Sequence, residues 1–156
     1  MKTGEKVEKN KLDKITWFNT NATWLYPIVR DSGANLGMDY LTMPKDLRFN
    51  EQYFVGYIYR DDKPLELVSY IQYRSAPNGG GLTLNYMEVA DKYQGNGISK
   101  IAIENFSKAV HIEPNKTIFV TTFSDKGQKS NLKGKLEQHF PNNTITEVSK
   151  RDTMHR

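Results

Sequence analysis

Residues 91–100, with the sequence DKYQGNGISK, constrain the fold more than any other part of the chain. They place Gly95 and Gly97 on either side of one asparagine, between a strand-like run and a run with helical spacing. Glycine allows sharp turns and lets a ligand come close to the backbone. The helix start that follows carries unpaired N–H groups and a partial positive charge. The stretch therefore predicts a strand–turn–helix unit that binds a phosphate group, with pyrophosphate as the expected ligand.

Three strands are predicted before this turn. Their residues alternate or are rich in aromatic and β-branched types, and short turn-forming links separate them. Such spacing favours an antiparallel meander. The predicted strands are 53–59, 65–73 and Leu82–Val89.

The hydrophobic pattern after the turn predicts helix, strand, helix and strand. The first helix begins near Gly97 and ends before Pro114. The remaining elements are a buried strand at 117–123, a helix at 129–139 and a short strand at Thr144–Val148. This order predicts a mixed α/β fold with one β-α-β crossover around the glycine turn.

The N-terminal part of the chain has weaker patterns. Residues 15–26 favour a short strand followed by a helix that ends near Arg30, and residues 35–50 favour irregular or short helical structure. Residues 1–14 contain five lysines mixed with three acidic residues, which is typical of a solvated, flexible arm. We expect one domain over residues 15–150 and a C-terminal tail over residues 151–156.

Composition excludes several classes of chemistry. The 156 residues contain no cysteine, so disulfides, thiolate nucleophiles and cysteine-ligated zinc are absent. The three histidines show no metal-ligand spacing, so no metal is expected. No apolar run approaches the roughly 20 residues of a membrane span. These features, together with a charged N-terminal stretch, predict a cytoplasmic protein without membrane contact. The net charge of +4 favours anionic ligands only mildly.

Two common pyrophosphate motifs fit the turn poorly. A nucleoside-triphosphate P-loop needs Gly-Lys-Ser/Thr, whereas Gly97 is followed by Ile-Ser-Lys. A dinucleotide-binding fingerprint needs a third glycine where Lys100 stands, and an acidic residue closer than Asp125.

A third motif matches more closely. The segment Gln94-Gly95-Asn96-Gly97-Ile98-Ser99, preceded by LNYMEVADKY, resembles the Gln/Arg-x-x-Gly-x-Gly/Ala motif of the GNAT superfamily of N-acetyltransferases. The order of elements also resembles that family over about two-thirds of the chain. Serine in the last motif position is a small departure, because it is nearly as small as alanine.

This resemblance implies a GNAT-like central sheet, mostly antiparallel and flanked by helices, and acetyl-coenzyme A as co-substrate. The pyrophosphate would lie on the backbone of the turn, and the pantetheine arm would run beside the strand that ends at Val89. In the family this strand and the next one splay apart, and the thioester enters between them. The implied coenzyme-binding residues are Met87, Val89, Gln94, Gly95, Asn96, Gly97, Ile98, Ser99 and Lys100.

The resemblance also directs the search for catalytic residues. Glu88, beside Val89 and expected to share a face with Tyr86, Leu84 and Leu82, is the first candidate for the base that deprotonates the amine. Glu66 and Asp91 are weaker candidates. Many family members protonate the leaving thiolate with a tyrosine on the helix after the fifth strand. This helix has no tyrosine, so Ser124 and Lys135 are the weak candidates here.

Several alternatives remain open at the level of sequence. The lysines of the second helix, among them Lys133 and Lys135, either contact the coenzyme 3′-phosphate or form a solvated face. The acceptor is a small-molecule or peptide amine, and the protein is a monomer or homodimer. A domain that binds acyl-coenzyme A without catalysis is the main alternative function. Nucleic-acid binding is disfavoured, because no aromatic and basic residues interleave on one strand face.

Overall fold

The computed structural model describes residues 6–59, 65–76, 81–121 and 131–148. Within these residues, six strands form one mixed sheet with helices on both faces. The elements in chain order are α1 (Lys9–Leu12), β1 (Thr16–Asn21), α2 (Ala22–Ser32), β2 (Gln52–Ile58), β3 (Glu66–Ser75), β4 (Leu82–Val89), α3 (Ile98–Ala109), β5 (Thr117–Thr121), α4 (Leu132–His139) and β6 (Thr144–Val148).

The sheet has the spatial order β1-β2-β3-β4-β5-β6, which is also the order along the chain. Strands β1 to β4 form an antiparallel meander, and β4, β5 and β6 run parallel to one another. The mixed α/β class and the crossover through α3 are therefore confirmed. The prediction of a single crossover was wrong, because β5 and β6 are also parallel and α4 lies between them in the chain.

The core consists of two apolar clusters, one on each face of the sheet. On the first face, α2 contributes Leu25 and Val29, which pack with Tyr53, Val55 and Tyr70 of the sheet. The second cluster contains the buried faces of α3 and α4 packed on β2 to β6: Phe54, Ile71, Tyr73, Leu82, Leu84, Ala102, Ile103, Phe106, Ile118, Val120, Leu136, Phe140 and Ile145. The helical spacing seen in the sequence of α3 therefore corresponds to its buried face.

The beginning of α2 illustrates how local chemistry sets an element boundary. The side-chain oxygen of Asn21 accepts hydrogen bonds from the backbone N–H groups of Thr23 and Trp24, at 3.0 and 3.3 Å. An asparagine at this position satisfies N–H groups that have no partner inside the helix. The chain consequently changes from strand β1 to helix α2 without an intervening loop.

The N-terminal segment makes defined contacts with the domain. Residues 1–5 lie outside the described residues, but Lys9–Leu12 form the short helix α1. The side chains of Val7 and Leu12 pack against the first core cluster. These contacts were not part of the expectation of a flexible arm over residues 1–14.

None of the described helices combines the length and the apolar character that crossing a membrane requires.

Candidate functional site

The glycine turn lies between β4 and α3, as predicted. A short 3-10 helix, Asp91–Tyr93, follows β4, and α3 begins at Ile98. Gly95 and Gly97 have φ values of 83° and 72°, in the left-handed region of backbone conformation that residues with a Cβ rarely adopt. A Cβ atom built on Gly97 would meet no other atom within 4 Å. The backbone of the turn is thus open on the side that Gly97 presents.

Two polar side chains hold the turn in this shape. The amide nitrogen of Gln94 donates to the carbonyl of Val89 at 3.2 Å. The amide nitrogen of Asn96 donates to the carbonyl oxygens of Tyr93 and Gln94, at 3.1 and 3.3 Å. The family resemblance implied that both residues bind the coenzyme, and the structure shows that they brace the loop around the open backbone.

A polar network lies beneath the turn. Tyr93 is almost fully buried, and its hydroxyl group donates to the carboxylate of Glu66. The ammonium group of Lys92 lies 3.5 Å from the same carboxylate. Glu66, a weaker candidate for the base, therefore supports the turn from below. Asp91, the other weaker candidate, lies in the turn itself, where its N–H donates to the carbonyl of Leu36 at 2.8 Å.

Positive charge collects at the start of α3. The ammonium group of Lys135, on α4, donates to the hydroxyl oxygen of Ser99, in the first turn of α3, at 2.9 Å. Burial and the nearby charge of Lys100 lower the pKa of Lys135. Helix N-termini add a partial positive charge and unpaired N–H groups. Two lysines and a helix terminus therefore converge beside Gly97, which is a favourable arrangement for an anion of more than one negative charge.

A β-bulge interrupts β4 shortly before the turn. The neighbouring residues Gln72 and Tyr73 of β3 pair with Tyr86 and Leu84, so Asn85 is the extra residue on β4. A bulge bends its strand and increases the local twist. The parallel ladder between β4 and β5 ends at the same place, since its last pair in the described residues is Leu84 with Val120.

The contact that follows this last pair is made by a side chain. The hydroxyl group of Thr121, the last residue of β5, donates to the carbonyl oxygen of Asn85 at 2.7 Å. This side-chain hydrogen bond lies where the next backbone pair of the ladder, Asn85 with Thr121, would otherwise form. In the described part of the chain, β4 continues beyond the bulge with a ladder to β3 alone.

After the bulge, every second residue of β4 directs its backbone N–H and C=O groups toward the side where β5 lies. Backbone groups alternate in direction along an antiparallel strand. The N–H of Ala90 donates to the carbonyl of Val68 in β3 at 2.8 Å, so Ala90 and Glu88 direct their backbone groups toward β3. Met87 and Val89 then direct theirs the opposite way. In the described residues this edge forms no ladder with β5, and the carbonyl of Val89 accepts from Gln94, so the remaining backbone groups are those to which an extended ligand can add.

The bulge also changes which residues share a face of β4. Leu82 and Leu84 belong to the core cluster beneath α3 and α4, whereas Tyr86 packs against the opposite cluster. Glu88 lies on the Tyr86 side, where it contacts Tyr70. The expectation that Glu88 shares a face with Leu84 and Leu82 was therefore wrong, because an extra residue shifts the alternation by one.

The carboxylate of Glu88 is fully engaged. One oxygen accepts from the N–H groups of Asp39 and Tyr40, at 2.6 and 3.0 Å. The other accepts from the N–H of Leu41 at 3.2 Å and from the hydroxyl of Tyr70. A carboxylate offers about four acceptor positions. Glu88 therefore anchors residues 39–41 to the end of β4.

The environment of this anchor is aromatic. Burial, followed by the charge and hydrogen bond of Glu88, raises the pKa of Tyr70 well above its ordinary value. Tyr70 thus stays protonated and donates to Glu88 over the whole physiological range. On the outer side, the rings of Tyr40 and Tyr86 pack with centroids 4.6 Å apart, and Tyr40 is 49% exposed.

The candidate site thus brings together most of the residues that the sequence singled out. The turn residues, Lys100 and Lys135 converge at the start of α3, and Met87, Glu88 and Val89 lead into it on β4. Ser124 lies outside the described residues. Sequence reasoning missed Tyr70 and the N-terminal contact with Asn96, because both depend on partners far away in the chain.

The described residues contain no group of three or more histidine, cysteine or acidic side chains that could hold a metal ion. The chain matches no model of a known protein family, and a search of curated proteins finds no match either.

Proposed function

We propose that this protein is an N-acetyltransferase of the GNAT type, which transfers an acetyl group from acetyl-coenzyme A to an amine. The observation that supports the proposal most strongly is the convergence of Lys135, Lys100 and the start of α3 around the open backbone at Gly97. A pyrophosphate carries the negative charge and the compact oxygen surface that such a site favours. Lys135 would serve this anion as a contact, in preference to the thiolate-protonating role predicted for it.

The strand edge at Met87 and Val89 supports the second half of the proposal. It leads from the bulge at Asn85 to the glycine turn, so one extended molecule can contact both places. Coenzyme A has this form, with a pantetheine arm joined to a pyrophosphate. The N–H groups of Met87 and Val89, which form no ladder with β5 in the described residues, are the candidates for polarising the thioester carbonyl.

Acetyl-coenzyme A would supply an activated acyl group, so the acceptor amine can attack the thioester carbonyl carbon directly. The new C–N bond forms, the C–S bond breaks, and the sulfur leaves with the electron pair of that bond. The amine nitrogen gives up a proton, and the leaving thiolate takes one up. This chain contributes positioning above all, which is effective when both reactants lie in a fixed orientation.

The acceptor is expected on the face of β4 that carries Tyr86 and Glu88. Tyr40, one of the anchored residues 39–41, and Tyr86 form a partly exposed aromatic wall there. Glu88 remains the nearest proposed base. Because its four acceptor positions are occupied, it would take the proton, directly or through a water molecule, only if one of its donors moves away.

The saturation of Glu88 favours one alternative function, a domain that binds acyl-coenzyme A without transferring the acyl group. Both functions use the same coenzyme site. They differ in whether an amine acceptor is consumed.

Thermal unfolding with acetyl-coenzyme A tests the proposal, with NAD and ATP as comparators that also carry an adenosine and a pyrophosphate. At about 100 times its dissociation constant, a ligand of the folded state adds about 2.7 kcal/mol to the free energy of unfolding. We expect a rise of several degrees with acetyl-coenzyme A and none with the comparators. An amine screen that detects released thiol then separates the enzyme from the non-catalytic domain.

The variant Gly97→Val serves as the matched control. Its added side chain covers the proposed phosphate surface, and its Cβ clashes with no other atom of the protein. A wild-type midpoint that does not change with acetyl-coenzyme A would overturn the assignment of the turn to this coenzyme. An equal rise in the Gly97→Val variant would place the coenzyme elsewhere on the protein.

A further inference from the structure

The loop that forms the proposed phosphate site is tied to a distant part of the chain. The backbone N–H of Val7 donates to the side-chain oxygen of Asn96 at 2.7 Å, across 89 positions of sequence. The other end of the same amide donates to the carbonyl oxygens of Tyr93 and Gln94. Asn96 thus joins the turn to residues 7–12, which we call the N-terminal strap.

The N-terminal strap is itself held in place by several contacts. The side chains of Val7 and Leu12 pack against the first core cluster. The ammonium group of Lys11 lies 5.6 Å from the centroid of the Tyr93 ring, within the range of a cation–π interaction. Tyr93 is the buried residue on which the turn rests. The strap therefore contacts the turn both at Asn96 and through Tyr93.

The turn needs such support for a physical reason. Gly95 and Gly97 flank Asn96, and glycine loses more conformational freedom on ordering than any other residue. Backbone N–H groups bind a phosphate well only if they already point in the right direction before the ligand arrives. Asn96 is the one residue between the two glycines, so its side-chain bonds restrict the part of the loop with the most freedom.

We infer that the N-terminal strap sets the affinity of the glycine turn for its phosphate ligand, with Asn96 as a positioning residue. This inference rests on the proposed function, because the ligand is taken to be coenzyme A. The strap acts on the turn through the bond from Val7 to Asn96, and its own residues 7–12 are not among those assigned to the coenzyme or the acceptor. A change in the strap is therefore expected to alter coenzyme affinity while the turnover number stays the same.

The variant Val7→Pro tests the inference most directly, since proline has no backbone N–H to donate. Val7→Ala is the matched control, because it keeps the N–H and shortens only the apolar side chain. Asn96→Ala removes the same bond from the other partner, together with the two bonds that the Asn96 amide donates to Tyr93 and Gln94. The first measurement is hydrogen exchange of the peptide that covers residues 91–100 in the ligand-free protein.

We expect faster exchange of this peptide in Val7→Pro and Asn96→Ala, and wild-type exchange in Val7→Ala. Calorimetric titration should then show affinity for coenzyme A about threefold to tenfold weaker in Val7→Pro, the range expected for one lost hydrogen bond, and at least as weak in Asn96→Ala, which loses three. Coupling between two sites is reciprocal. Bound coenzyme A should accordingly slow the exchange of the Val7 amide in the wild-type protein.

Two results would overturn the inference. The first is wild-type exchange of the turn in Val7→Pro. The second is a lower unfolding midpoint in Val7→Pro with unchanged coenzyme affinity, which would make the strap a stabilising element only. If wild-type protein fails to bind coenzyme A, the proposed function fails, and titration with inorganic pyrophosphate shows whether the strap governs an anion site of another kind. Failure to bind pyrophosphate as well overturns both.

Discussion

Lys135 and Ser99 belong to different helices, and the ammonium group of one donates to the hydroxyl oxygen of the other at 2.9 Å. This bond joins α4 to the first turn of α3, where Lys100 also lies. Burial and the Lys100 charge lower the pKa of Lys135, so the free protein holds this positive charge at a cost. A bound anion would relieve that cost, which makes the Lys135–Ser99 pair the most informative place to test the site.

Replacing Lys135 by methionine should weaken coenzyme A binding about tenfold at low salt, the effect expected for one charge-assisted hydrogen bond. Methionine keeps most of the apolar stem, so the packing of α4 changes little. Lys133→Met is the matched control, since Lys133 is an exposed residue on the same helix. Equal affinity losses in the two variants would show only a general effect of net charge.

The lowered pKa of Lys135 predicts how coenzyme affinity depends on pH. Its ordinary pKa is 10.5, and the folded protein releases the proton below that value. Coenzyme affinity should therefore fall as the pH rises through this lowered pKa, because a neutral lysine attracts phosphate weakly. Lys135→Arg should keep affinity at neutral pH and remove the part of the alkaline fall that Lys135 causes, since arginine stays charged. Titrations at a series of alkaline pH values check both, and an identical fall in the arginine variant would contradict the assignment.

In the ligand-free protein, the titration of Lys135 should raise the free energy of unfolding as the pH rises, whereas it lowers coenzyme affinity. Below its lowered pKa the folded protein carries a disfavoured charge, and that cost disappears as the pH rises toward 10.5. Lys100→Ala removes one cause of the shift. It should therefore move the pKa of Lys135 upward, which NMR of the lysine side chain measures directly.

Gly97→Val should abolish coenzyme binding and leave the fold intact. A Cβ at this position meets no other atom within 4 Å, so it projects into the space assigned to the phosphate. The left-handed φ of 72° adds strain of about 1–2 kcal/mol. Asn115→Val places the same β-branched residue at another left-handed position, before β5. Circular dichroism and titration should show comparable folding in both variants and loss of binding only in Gly97→Val.

Much of the fold follows from local sequence patterns. Leu82–Val89 and Thr144–Val148 were predicted with the bounds that the structure has. The glycine turn was also predicted, because left-handed glycines and a helix start have local signatures. The bulge at Asn85 was not predicted, since it depends on the register between β3 and β4. That one residue reversed the assignment of faces around Glu88.

The contacts of Glu88 show why site chemistry is harder to predict than site position. Its location at the end of β4 follows from the strand pattern. Its partners, the N–H groups of 39–41 and the hydroxyl of Tyr70, come from an irregular segment and a neighbouring strand. Irregular segments carry no periodicity from which such a contact can be inferred.

Glu88→Gln should destabilise the fold in addition to any effect on turnover. In glutamine, an NH₂ group takes the place of one of the two carboxylate oxygens. This NH₂ group is a donor, so the N–H or O–H groups that it faces lose their acceptor. We expect a loss of about 1–3 kcal/mol in the free energy of unfolding, measured by urea titration. If Glu88 is also the base, turnover in the folded fraction should fall while coenzyme affinity is kept. Wild-type turnover at every pH would exclude Glu88 as the base.

Tyr70→Phe isolates the effect of the buried hydroxyl group on alkaline stability. Burial and Glu88 raise the pKa of Tyr70 well above 10.0 in the folded protein, whereas the unfolded chain keeps the ordinary value. The contribution of protonated Tyr70 to the free energy of unfolding is complete below pH 10.0. It is lost as the pH rises from there toward the raised pKa, because in that range only the unfolded state releases the proton. The wild-type free energy of unfolding should therefore fall above pH 10.0 more steeply than that of Tyr70→Phe, by about 1.4 kcal/mol per pH unit. Parallel curves for the two proteins would show that Tyr70 titrates normally and that its bond to Glu88 contributes little to the anchor of residues 39–41.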